Sequence, residues 1–99
     1  MPRFDVYEAP GRFGYLLDVQ ADVLHDLNTR VVVPLLPADD VRTREPRLHP
    51  RFDVHGSTVL MATHFMAAVP RKQLRNRVSS LRRRAASVLD AIDFLHQGW

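Results

Sequence analysis

One stripe of apolar residues decides what kind of fold is open to this chain. Leu81, Ala85, Val88, Ile92 and Leu95 follow one another at spacings of four, three, four and three, which places them on one face of an α-helix. Ser79 or Ser80 can cap its start and Gly98 its end, giving about 16 residues and roughly 24 Å of helix. Upstream, the period changes to that of strands. The expected architecture is α+β: an antiparallel sheet with one C-terminal helix packed on it by a single face.

The strands can be read in order. Phe4, Val6 and Tyr7 open a short extended stretch that Ala9-Pro10-Gly11 turns. Tyr15, Leu17 and Val19 alternate with Leu16, Asp18 and Gln20, a strand with one buried face that fades to a polar end. Arg30 to Leu36 is β-branched and apolar on both faces, as a central strand should be, with Pro34 marking a bulge or the point where pairing stops. Residues 37–50 hold Pro37, Pro46 and Pro50 among charged residues and read as an arm or flap around Val41 and Leu48. Phe52 and Val54, the turn His55-Gly56-Ser57 and the run Thr58 to Thr63 form a second hairpin, and the β body is complete by Val69-Pro70.

Composition narrows the function classes. Ninety-nine residues form one domain, 1–99, and 45% apolar with 25% charged residues is ordinary for a globular chain. The absence of cysteine removes disulfides, thiolate metal sites and a Cys nucleophile, and points to an intracellular, cytoplasmic protein. No apolar run has membrane-helix length, and Met-Pro-Arg-Phe-Asp is not a secretory signal. The net charge of +3 is modest but unevenly placed. Arg71, Lys72, Arg75, Arg77, Arg82, Arg83 and Arg84 contain no acid among them, whereas Asp18, Asp22, Asp26, Asp39 and Asp40 sit in the first half. A basic run without interleaved aromatics reads first as a solvated face, so direct nucleic-acid binding is not expected.

Catalytic equipment is hard to find. His25, His49, His55, His64 and His96 have no metal-ligand spacing, no Gly-rich phosphate loop or nucleophile elbow is present, and Asp39-Asp40 reads as a solvated turn. No catalytic residue, metal or cofactor is assigned. Trp99, the only tryptophan, either folds back as core or anchors an interface. A short chain with an apolar terminal helix and this ring points to a homodimer.

Five strings together resemble the CcdB family of toxins from bacterial toxin–antitoxin pairs. They are Phe4-Asp5-Val6-Tyr7, Leu17-Asp18-Val19-Gln20-Ala21-Asp22, Arg30-Val31-Val32-Val33-Pro34-Leu35, Ala68-Val69-Pro70 and the ending Ala91-Ile92-Asp93-Phe94-Leu95-His96-Gln97-Gly98-Trp99. The resemblance implies a homodimer of SH3-like small β-barrels, each with a C-terminal helix. It implies a topoisomerase inhibitor and not an enzyme, one that binds the A subunit of DNA gyrase, traps its cleaved-DNA complex and is neutralised by a CcdA-like antitoxin with an acidic tail. Carried onto this sequence, the gyrase contacts are Gln20, Ala21, Val23, Asp93, Gln97, Gly98 and Trp99. Two alternatives stay open beside it: an endoribonuclease toxin like MazF or Kid, and a non-toxic basic binding module.

Overall fold

The computed structural model describes residues 2–9, 14–41 and 45–98. Seven strands form one antiparallel sheet: β1 (Asp5–Glu8), β2 (Tyr15–Asp18), β3 (Thr29–Pro37), β4 (Arg51–Val54), β5 (Ser57–Met61), β6 (Ala67–Pro70) and β7 (Arg77–Ser80). Among the described residues one α-helix, α1 (Ala85–Gln97), follows. The strand order is β4-β5-β3-β2-β1-β7, with β6 also on β3. The sheet curls into a half-barrel, the α+β arrangement that the change of period implied.

The nine-residue strand β3 organises the sheet. Along one edge it pairs β2, from Val32 opposite Asp18 to Leu35 opposite Tyr15. Along the other it changes partner, meeting β6 from Thr29 to Val32 and β5 from Leu35 to Pro37. Pro34 stands at the changeover. It has no N–H to offer either neighbour, and its carbonyl accepts from Ala62 N at 2.8 Å. The proline therefore marks a change of partner and not an end to pairing.

Side chains on the concave face make the main core. Val6, Leu17, Val33, Leu35, Phe52, Val54, Val59 and Met61 are buried there, closed over by Leu81, Val88 and Ala91. On the outward pleat, Tyr7, Val32 and Leu74 form a second cluster with Leu16 and Val69 against it. Across the seam between the sheet's two ends, His55 Nε2 donates to Val78 O at 2.6 Å. The Arg84 guanidinium lies 5.0 Å above the Phe52 ring. His55 and Gly56 both take positive φ (52° and 80°), the geometry of a two-residue hairpin turn.

Three expectations need correction. The β body does not end at Val69-Pro70: the segment read as a basic run includes β7, which pairs β1 with a shift of register between Val6 and Tyr7. The helix begins at Ala85, because Leu81 N donates to Phe4 O and Arg82–Arg84 make a 3-10 turn, where Ser80 Oγ accepts from Arg82 N. That delay moves the buried stripe to Val88 and Ala91 and leaves Leu95 38% exposed. Gly98 does end the helix, in the left-handed conformation, with its N–H on Phe94 O.

The third correction is the polar end of β2, which is buried. Asp18 and Arg30 have no exposed side-chain surface, and Arg30 Nη2 and Nε reach Asp18 Oδ2 at 2.6 and 2.8 Å. Burial pushes the Asp18 carboxyl up from its ordinary value, while the bonds from Arg30 and from Gln20 N pull against it. Removing one partner strands the other charge in the interior. Asp18→Ala is expected to cost about 3–5 kcal/mol, and the paired change Asp18→Leu with Arg30→Met to recover most of it, as read by denaturant melts.

Candidate functional site

The clearest presentation surface is the loop between β2 and β3. Residues 22–24 form a 3-10 turn, and Val23 is 84% exposed, with Leu24 at 47% and Leu27 at 48%. Three apolar side chains standing out of Asp22, His25, Asp26 and Asn28 are costly to leave in water, which is the mark of a partner surface.

What holds this tip in place is Gln20. Its side chain is 5% exposed, and its amide is used at both ends: Nε2 donates to Leu24 O at 2.9 Å and Oε1 accepts from Val31 N at 3.1 Å. Its backbone N–H donates to Asp18 Oδ1 at 3.0 Å, so the loop hangs directly from the buried ion pair. Asp22 Oδ1 accepts from Arg3 N at 2.8 Å, and Arg3 Nε donates to Val19 O. Arg71 closes the far side by donating to His25 O through Nη1 and to Asn28 O through its backbone. Val23 and Leu24 are thus exposed on a backbone that is tied at every corner.

The remaining site residues are distributed as follows. Ala21 is half-buried at the start of the turn. Asp93, Gln97 and Gly98 are exposed on the last turns of α1, and Trp99 lies outside the described residues. The helix rests on the 63–65 turn and on the 82–84 turn, whereas the 22–28 loop is anchored to Arg3, Gln20 and Arg71. The site residues therefore form two exposed groups on separate supports, and Gln20 belongs under the first group and not in it.

Sequence reasoning passed over Leu24 and Leu27, although apolar residues at 23, 24 and 27 inside a polar stretch fit neither strand nor helix period. It also passed over a pair of histidines: His49 Nε2 and His64 Nδ1 are 2.9 Å apart. Among the described residues no three of His, Cys, Asp and Glu come close enough together to hold a metal ion. No helix among the described residues is long and apolar enough to cross a membrane.

Around the basic run, Asp5 Oδ2 takes Arg77 Nε at 2.8 Å, and Asn76 Nδ2 donates to Glu8 Oε2. Arg71, Lys72, Arg75, Arg82 and Arg83 remain exposed.

The family model described as CcdB protein matches residues 3–98. Within that match Gln20 is the residue that converts two strands into a rigid tip. Gln20→Ala takes the side-chain acceptor from Val31 N and leaves Leu24 O with Leu27 N alone, so a loss of about 1–3 kcal/mol is expected in thermal melts, with faster amide exchange confined to residues 20–31.

Proposed function

The chain belongs to the CcdB family, toxins of toxin–antitoxin systems, and on that premise we propose that it binds the A subunit of DNA gyrase and traps the enzyme on cleaved DNA. The observation that carries this reading is the exposed tip Val23, Leu24 and Leu27, held rigid from beneath. A binding protein that stops an enzyme in mid-cycle needs a pre-formed surface more than it needs a reactive group, since rigidity reduces the entropy lost on docking. Ala21 and Val23 make one half of the contact, and Asp93, Gln97, Gly98 and Trp99 at the end of the helix make the other. Gln20 positions the first half. No bond is made or broken by the toxin itself, and it acts in the cytoplasm, where gyrase and its DNA are.

The working form is a homodimer. Phe65 is 57% exposed beside a groove lined by Leu16, Pro34, Leu36 and Val69, an apolar surface that a second copy can cover. Light scattering is expected to give twice 11.4 kDa.

The partner that neutralises the toxin is a CcdA-like antitoxin, and the exposed cations between Arg71 and Arg83 suit an acidic tail. Its affinity is expected to fall as salt rises, because exposed charges are screened over about 8 Å at physiological ionic strength. Titration calorimetry at two salt concentrations measures this, and salt-independent binding would assign the affinity to apolar contacts.

The gyrase contact is tested by Val23→Asp in a purified plasmid-cleavage assay. Because the side chain is 84% exposed, stability should stay within about 0.5 kcal/mol of the parent, while trapped cleavage complexes disappear. Deleting Gly98 and Trp99 should have the same effect. Undiminished trapping by both variants would move the contact elsewhere, and RNA cleavage in place of DNA trapping would make the protein a ribonuclease.

A further inference from the structure

His49 lies in the arm of residues 45–49 that leads into β4, and His64 in the 3-10 turn 63–65 against which α1 packs. Their rings meet edge to face, with centroids 4.9 Å apart and planes at 72°. His49 is 7% exposed. Hydrogen-bond directions fix its tautomer: Glu45 N donates to His49 Nδ1 at 3.0 Å, so the ring's proton is on Nε2 and is given to His64 Nδ1 at 2.9 Å. Both rings are neutral in this arrangement. A further proton has no place to go, since on His49 Nδ1 it would face the Glu45 N–H and on His64 Nδ1 it would face the His49 N–H.

The same tautomer argues against a metal ion between the rings. A neutral His49 bound to metal through Nε2 would carry its proton on Nδ1, against the Glu45 N–H.

The arm grips the helix at a second point, where the Arg47 guanidinium lies 4.5 Å above the Phe94 ring. Phe94 is one turn before Gly98, whose N–H it caps. We propose that His49 and His64 form a proton-sensitive latch that ties the 45–49 arm to the seat of the C-terminal helix and slackens it in acid. Thr63 Oγ1 donates to Leu48 O, a bond the proton does not touch, so the arm loosens and is not cast off. The inference stands on this geometry alone and is independent of which enzyme the toxin meets.

The charged groups on the packed elements are Glu45 and Arg47 on the arm, Arg30 on β3, Arg51 and Asp53 on β4, and Asp90, Asp93 and His96 on α1. Burial and the neighbouring His64 hold His49 below the ordinary histidine value, and Glu45 pulls the other way and is outweighed. A histidine held low contributes stability that is whole above its ordinary value of 6.5 and is lost as the pH falls through it, because the opened arm takes up the proton first.

Amide exchange of the intact protein, corrected for intrinsic chemistry, tests the latch. Protection of the Glu45 amide and of residues 63–66, relative to Val33 in β3, is expected to fall about tenfold between about pH 7.5 and about pH 5.5. His49→Gln keeps a polar side chain there but cannot titrate, and its protection should not change with pH. If that variant does not fold, His49→Asn carries the same comparison. Wild-type protection that ignores pH, or a variant without His49 that responds as the wild type does, would overturn the proposal.

Discussion

The structure depends on one ion pair. Asp18 ends β2 and Arg30 is the second residue of β3, and their side chains meet with no exposed surface at the root of the loop that carries the exposed apolar tip. In that position the pair does what an apolar contact could not. One carboxylate oxygen fixes Arg30 and the other receives Gln20 N, so the direction in which the loop leaves the sheet is set by hydrogen-bond geometry. Gln20 then repeats the device one step outward, bridging Leu24 O and Val31 N. Burial of the pair opposes its own charge, as the raised Asp18 carboxyl shows. What is gained is a fixed direction for the loop, and buried charges are best understood as specifying a geometry and not as adding stability.

This also explains which parts of the chain could be read in advance. Period and composition located β1 to β5 and the helix because those elements are built from apolar residues facing one core. They failed at β7, where Arg77 is half outside and its carboxylate partner, Asp5, is 72 positions away. They failed again at Asp18 and Gln20, whose polarity is a sign of exposure in any reading that cannot see partners. Two of the five strings that carry the resemblance to a toxin family, around Asp18 and around Arg30, are the two sides of this one pair. They meet in a tertiary contact that periodicity could not express.

Between the two exposed groups the contrast is in how each is supported. The loop group hangs from interior hydrogen bonds of Asp18 and Gln20. The helix group ends on Gly98 and is braced from the side by Arg47 on Phe94 and by the histidines behind it. One half of the surface is therefore set by the fold, and the other by an arm that answers to its surroundings.

The pairing of β1 with β7 has a consequence for how the protein comes into being. Asp5 lies opposite Ser80 and Tyr7 opposite Arg77, so one edge of the first strand waits for a segment from the last quarter of the chain. Leu81, Val88 and Ala91, which close the main core, arrive later still. Contacts of such long sequence separation must overcome loop-closure entropy before they return any energy, and they slow folding. A chain still being synthesised can assemble the β2–β3 and β4–β5 pairs, but its core stays open on the helix side. The finished surface is therefore acquired in one late step, after the chain is essentially whole, which leaves an interval in which the polypeptide exists and the toxin does not.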